Sequence, residues 1–177
     1  MMRIRVAHTA DVEPAVLDDA RRLLDEAFDG DMSDEDWRHC LGGLHALAYA
    51  GDVLVGHAAV AQRSMLVRGR ALRCGYVEGV AVHADLRRRG YAGAMMAELE
   101  RVIEAAYDFG ALCASDEAVG FYRARGWRVW EGPTSVFTPD GIAPTPEEDG
   151  AVFVWPGAAA ADATAPIACD WRDGDVW

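Results

Sequence analysis

The stretch Val80-Ala81-Val82-His83-Ala84-Asp85-Leu86-Arg87-Arg88-Arg89-Gly90-Tyr91-Ala92-Gly93 runs from an apolar strand through a basic, glycine-bearing loop into a long helix. That order builds an anion site. The first N–H groups of a helix have no internal acceptor, and the helix dipole favours negative charge beside them. Gly90 and Gly93 let a ligand approach the backbone closely. Arg87, Arg88 and Arg89 stand out in a chain whose net charge is -12, so the run reads as a phosphate grip. Other phosphate motifs are excluded. The chain has no lysine, so it is not a P-loop NTPase. No G-x-G-x-x-G with a later acidic residue follows the first strand, so a dinucleotide fold is not indicated.

Reading outward from the loop, a strand–helix pattern fills the chain. Arg3 to His8 alternates as a first strand. Thr9 or Asp11 is placed to cap a helix from Glu13 to Phe28, with Val16, Ala20, Leu23, Leu24, Ala27 and Phe28 on one face. A short second helix starts at Ser33, with Glu35 and Asp36 in its first turn. Leu44 to Ala50, the Gly51-Asp52 turn and Val53 to Met65 read as a hairpin. A turn at Arg68-Gly69-Arg70 leads to a long strand, Ala71 to Val82. After the loop comes a helix from Tyr91 to Tyr107, then a buried strand from Ala111 to Ala114. Ser115 or Asp116 caps a last helix, and Gly126 ends it. Trp127 to Phe137 and Ala151 to Trp155 are the closing strands, and the Ala-rich end is weakly patterned.

Composition bounds the rest. With 177 residues, 51% of them hydrophobic, the chain suits a single domain over 1–177 with its own core. It shows no run of some 18 apolar residues and no signal-peptide core, so no membrane is expected and the expected location is cytoplasmic. The acidic balance argues against nucleic acid and suits a cationic ligand. Cys40, Cys74, Cys113 and Cys169 form no CxxC pair, and the five histidines have no ligand spacing, so no metal is expected. All 17 basic residues are arginine, and asparagine is absent too, which a GC-rich genome is enough to explain.

Arg87-Arg88-Arg89-Gly90-Tyr91-Ala92 resembles the R/Q-x-x-G-x-G/A pyrophosphate motif of the GNAT N-acetyltransferases, and the element order resembles that fold as well. The resemblance implies an α+β fold: a central mixed, mostly antiparallel twisted sheet of about seven strands flanked by four helices. It implies acetyl-CoA as cofactor, leaving as coenzyme A, in a cleft between the fourth and fifth strands. The backbone of Val80, Ala81 and Val82 would lie along the pantetheine arm. Arg87, Arg88, Arg89, Gly90, Tyr91, Ala92 and Gly93 would receive the diphosphate.

The likeness extends, over nearly the whole chain, to aminoglycoside 2'-N-acetyltransferases. It is carried by Phe28-Asp29-Gly30-Asp31, Leu41-Gly42-Gly43-Leu44-His45-Ala46, Ala71 to Val82, Gly126-Trp127, Gly132-Pro133-Thr134-Ser135-Val136 and the end, Cys169-Asp170-Trp171-Arg172 and Gly174-Asp175-Val176-Trp177. The last is the most specific. An aminoglycoside carries several ammonium groups, and Asp25 to Asp36 holds seven acids with no base among them. The resemblance implies that Asp31, Asp36, Glu148, Asp175 and Trp177 surround the polycationic acceptor, with Gly79 and Cys113 in contact with it. It implies that the tail, 157–177, contributes to that site and that the enzyme is a homodimer. Cys113-Ala114-Ser115 departs from the Ser-Ser or Ser-Ala that the family often has there.

Glu78 lies within the small, apolar run Gly75-Tyr76-Val77-Glu78-Gly79-Val80. A carboxylate there is costly without a partner or a task. Its expected task is general base, through a water, for the 2'-ammonium. The Val80 N–H is the expected oxyanion donor, provided the strand bulges near Gly79. By likeness, Tyr122 is the general acid for the departing thiolate. Two rival readings share these features. One is a GNAT enzyme for another cationic amine, such as a polyamine, a peptide N-terminus or a cell-wall amino sugar. The other is a module that binds acetyl-CoA or a drug without turning it over.

Overall fold

In a computed structural model of the protein, which describes residues 1–157 and 163–177, the two longest strands are β3 (Val53–Val67) and β4 (Arg70–Val82). They follow β1 (Met2–His8), the helices α1 (Pro14–Ala27) and α2 (Asp34–Cys40), and β2 (Leu44–Ala50). After β4 come α3 (Tyr91–Ala106), β5 (Phe109–Cys113), α4 (Val119–Arg125), β6 (Arg128–Val129), β7 (Thr134–Thr138), β8 (Gly141–Pro144), β9 (Val152–Trp155) and β10 (Ile167–Cys169). The four helices and the long hairpin strands stand where the sequence pattern put them. Among the described residues there are ten strands against about seven expected. The additions are short: β6, β8 and β10 have two, four and three residues, too few for a period-2 signal.

Residues cluster into two units, and β3 and β4 contribute to both. The first unit comprises Met1–Ala61 with Val77–Arg101. Here β1 pairs antiparallel with β2, and β2 with β3, in the register Leu44↔Val60 to Ala50↔Val53. Leu23, Leu24, Cys40, Ala59 and Ala81 form one apolar cluster, flanked by Ala27, Met32 and Trp37. Thr9 and Asp11 fall in a 3-10 turn rather than capping α1. Glu13 stands at the N-cap without a capping bond, its carboxylate taken by Arg5 at 2.6 Å, and Pro14 opens the helix, where its missing N–H costs nothing. The second helix starts as read, with a full capping box between Ser33 and Asp36.

The second unit comprises Gln62–Tyr76 with Val102–Trp177. β5 lies parallel to β4, from Cys74↔Phe109 to Tyr76↔Ala111, and antiparallel to β9. The run Trp127 to Phe137, read as one strand, breaks into β6 and β7. Pro133 has no N–H to give a ladder, and a Cβ at Gly132 would collide with the Ala165 carbonyl. The weakly patterned end holds a buried strand: β10 pairs antiparallel with β3 and parallel with β7, with Ile167 and Cys169 in an apolar cluster that also holds Met65, Tyr76, Phe109, Trp130 and Trp177. α4 begins after a turn that carries Ser115 and Asp116, with Ala118 at its N-cap, and Gly126 closes it at φ +101°.

Candidate active site

β4 ends at Val82, and the chain then makes a 3-10 turn over Ala84–Leu86 before α3 begins at Tyr91. His83 N ties this exit to the Val55 carbonyl at 2.9 Å. The sign of φ then alternates: -59° at Arg87, +60° at Arg88, and positive again at Gly90, +89°. Such alternation turns successive backbone N–H groups toward one concavity, a fit for an anion. Arg87, Arg88, Arg89 and Gly90 are exposed, whereas Ala81, Val82 and Tyr91 are buried. The loop therefore offers its donors outward on a rigid base. A Cβ at Gly90 would have only Met2 Cε within reach, at 3.8 Å. Gly90 is thus needed for its dihedral angles rather than for space. The donors suit a diphosphate.

Upstream on the same strand, Glu78, Gly79 and Val80 are all half-buried. Gly79 has φ +57°, a left-handed residue in the middle of a strand, so the pleat is interrupted where the sequence reading asked for a bulge. A Cβ there would lie 2.8 Å from Cys40 Sγ and 3.3 Å from Leu24 Cδ1. The Gly79 carbonyl accepts a 2.8 Å hydrogen bond from His57 Nδ1. His57 Nε2 meets His45 Nδ1 at 2.9 Å, and His45 Nε2 meets Thr9 Oγ1 at 2.8 Å. Both rings are fully buried, and burial pushes each imidazole down to about 4. The sequence reading passed over this pair. Its signal was two histidines at inward positions of adjacent small-residue strands, and only the β2–β3 register brings them together.

Of the acids read as acceptor ligands in this unit, Asp31 is exposed, on a loop shaped by left-handed Asp29 and Gly30. Asp36 is half-buried and already employed: its Oδ2 accepts from Ser33 N at 3.0 Å to close the capping box. The acid-rich segment also has a cation that the sequence window left out. Arg21 bonds Asp25 at 3.1 Å, approaches Asp34 at 3.4 Å, and donates to the Met32 and Ser33 carbonyls.

In the second unit, Cys113 Sγ donates to Glu148 Oε2 at 3.2 Å. Glu148 N donates to the Thr145 carbonyl at 3.0 Å, and the Thr145 hydroxyl accepts from Trp177 Nε1 at 3.0 Å. Trp177 N in turn donates to Asp175 Oδ1 at 3.2 Å. Four residues singled out from the sequence, Cys113, Glu148, Asp175 and Trp177, are thus joined through one that was not, Thr145. Trp177 is 3% exposed and belongs to the apolar cluster, so it is part of the core as well as a candidate ligand. Tyr122 is buried with its ring edge-on to Trp127 at 6.0 Å, and burial raises its phenol to about 12. It therefore holds its proton at neutral pH. Sequence reading also missed Arg63, which donates to Asp170 at 2.8 Å and sits 4.8 Å from the Tyr76 ring centroid, with Arg172 5.3 Å from the same ring.

Among the described residues, no helix is long and apolar enough to cross a membrane. The family described as Acetyltransferase (GNAT) domain matches residues 9–130. An aminoglycoside 2'-N-acetyltransferase of Mycolicibacterium fortuitum is 52% identical over 177 residues, covering 98% of this chain and 91% of its own. Among solved structures, the GNAT family N-acetyltransferase YhbS of Escherichia coli, in complex with CoA, superposes with a TM-score of 0.67 at 19% identity, over 97% of this chain and 90% of its own. A GCN5-related N-acetyltransferase of Kribbella flavida gives a TM-score of 0.59 at 23% identity, over 74% of this chain and 35% of its own. The chain spans about a third of the length of several such structures.

Proposed function

The chain belongs to the GNAT acetyltransferases and, among them, to the aminoglycoside 2'-N-acetyltransferase family, and we propose that it moves the acetyl group of acetyl-CoA onto the 2'-amine of aminoglycoside antibiotics. The observation that carries this is the order along one strand: half-buried Glu78, left-handed Gly79, the Val80–Val82 backbone, then the exposed arginine loop at the start of α3. A carboxylate, a candidate oxyanion peptide and a diphosphate grip follow one another on contiguous chain. The acceptor class rests on the 52% identity to the Mycolicibacterium fortuitum enzyme.

Acetyl-CoA is the donor substrate and supplies a thioester. Arg87, Arg88 and Arg89, with the backbone of Gly90, Tyr91, Ala92 and Gly93, neutralise and hydrogen-bond its diphosphate. The strand backbone from Val80 to Val82 orients its arm. Asp31, Asp36, Gly79, Cys113, Glu148, Asp175 and Trp177 receive the acceptor. Asp36 and Asp175 each bring a carboxylate that already orders local backbone, so they offer a fixed charge rather than a mobile one. Glu78 takes a proton from the 2'-ammonium through a water, because only the neutral amine is a nucleophile. As the N–C bond forms and the C–S bond breaks, the Val80 N–H stabilises the oxygen that gains charge. Tyr122, protonated at neutral pH, gives its proton to the departing thiolate, and the second proton that the nitrogen sheds on becoming an amide restores the phenol, so that one proton in all, the one taken by Glu78, leaves to solvent. Acetylation removes one cation from the drug, which is the basis of resistance. The same proposal places the enzyme in the cytoplasm, as a homodimer.

The test is to incubate tobramycin or gentamicin with the protein and acetyl-CoA. The expected product carries one added acetyl group by mass spectrometry, mapped by NMR to the 2'-nitrogen. An unmodified drug under conditions where calorimetry shows acetyl-CoA bound would refute the activity. Efficient turnover of a polyamine with none of the aminoglycosides would overturn the acceptor assignment alone.

A further inference from the structure

The donor directions in the buried chain that ends on Gly79 are fixed by what it touches. The Gly79 carbonyl can only accept, so His57 Nδ1 carries the hydrogen of that 2.8 Å contact. With the ring neutral, His57 Nε2 is an acceptor, and the 2.9 Å contact must be donated by His45 Nδ1. His45 Nε2 is then bare and accepts from the Thr9 hydroxyl at 2.8 Å. Thr9 Oγ1 in turn accepts from Gly42 N at 2.9 Å. The Gly43 carbonyl, 3.3 Å from Thr9 Oγ1, is a longer second acceptor for the same hydroxyl hydrogen. The tautomers of both rings are thus set from the Gly79 carbonyl outward, and the Thr9 hydroxyl, which can donate or accept, completes the chain.

The carbonyl at the inner end belongs to the same peptide unit as the Val80 N–H. In a trans peptide the two point in opposite directions. A hydrogen bond on the oxygen holds the plane against rotation and, by polarising the amide, makes the N–H a stronger donor. Such a constraint is needed here. Gly79 at φ +57° is the residue whose dihedrals rotate most freely, and nothing in its own side chain holds that plane.

We propose that His57, its tautomer matched to the Gly79 carbonyl and its outer nitrogen held by His45, is a positioning residue that clamps the Gly79–Val80 peptide so that the Val80 N–H faces the reacting acetyl carbonyl. The proposal rests on the reading of Val80 as the oxyanion donor. It accounts for two buried histidines in a position where apolar residues would pack without a desolvation cost.

Two substitutions separate the contact from mere filling. His57→Asn keeps a donor where Nδ1 stood; His57→Gln places its amide where Nε2 stood and loses the bond to Gly79. Removing an oxyanion donor outright costs about 10²–10³ in kcat, so loosening one is expected to cost about tenfold or more. His57→Gln should therefore lower kcat about tenfold or more while KM for acetyl-CoA and for tobramycin stay within about threefold. The Val80 ¹⁵N resonance should move, and His57→Asn should recover kcat to within about threefold of wild type. A folded His57→Gln that binds acetyl-CoA and turns over within about twofold of wild type would overturn the clamp, and so would equal losses in both variants. Should His57→Gln fail to fold, long-range ¹H–¹⁵N spectra of the wild type decide: the hydrogen is expected on His57 Nδ1, and its presence on Nε2 instead would refute the proposal. A wild type that acetylates no aminoglycoside would defeat the proposed activity, whereas the tautomer and the Val80 resonance still test the clamp.

Discussion

Acidification from pH 7 to pH 5 is expected to weaken the fold through His45 and His57. In the unfolded chain an imidazole titrates near 6.5; in the fold burial holds both near 4. The unfolded state therefore binds protons first. The contribution of each ring is fully present above pH 6.5, is lost as pH falls from there toward 4, and changes no further below that. Between pH 7 and pH 5 the unfolded imidazole gains about three-quarters of a proton and the folded one about a tenth of one, which integrates to about 2 kcal/mol per ring. The rings share a hydrogen bond in which one nitrogen must accept, so protonating one makes the other harder to protonate. The pair thus resists together and loses about 4 kcal/mol, a large part of a typical domain's stability. Urea unfolding followed by the fluorescence of the six tryptophans, at pH 7, 6 and 5, measures it. The His45→Gln/His57→Gln double variant should show a much shallower pH dependence. Equal pH dependence in both proteins, or a wild type whose stability is flat over this range, would refute the reasoning.

Glu78→Gln should lower kcat by about 10²–10⁴ and most severely at low pH, where more of the amine is protonated; an unchanged pH–rate profile would count against the base role. Gly79→Ala should cost about 2–5 kcal/mol, the sum of left-handed strain and a methyl group 2.8 Å from Cys40 Sγ. Calorimetric scanning checks this, and an unchanged Tm would mean that the strand is regular there. Trp177→Ala should cost about 3–5 kcal/mol, because the indole is 3% exposed and bonded to Thr145 at 3.0 Å. Acetyl-CoA affinity measured well below the new Tm should stay at the wild-type value, and a variant as stable as wild type would contradict the buried placement.

The parts of the fold that were legible in the sequence are those whose signal is long and local. The β2–β3 hairpin, the fourth strand and α3 each repeat one period over many residues, and glycines with positive φ mark the turns at Gly51 and Gly69 and the end of α4 at Gly126. The misread parts are short or are decided elsewhere. β10 has three residues and exists because β3 and β7 leave a place between them. Glu13 stands as an N-cap without a capping bond, its carboxylate held by Arg5 of β1.

The same rule divides the candidate site. A diphosphate calls for one loop and one helix start, so the grip proposed for Arg87 to Gly93 is contiguous and leaves a local motif in the sequence. An acceptor with several separated cations needs acids from several elements, and a lone acid in a sequence does not reveal whether it serves ligand or scaffold. Asp36 closes a capping box, Asp175 holds the last turn, and Arg21 neutralises part of the richest acidic segment. Charge density therefore overstates what is available to a ligand, and the hydrogen-bond partners correct it. The histidine relay lies at the other extreme. It has no spacing, no charge and no exposed atom, only a pairing register that brings Nδ1 of one ring to Nε2 of the next and on to a carbonyl. Groups that act on the reaction through a peptide bond, rather than by touching a ligand, leave no motif behind, and tertiary geometry is the one place where they can be found.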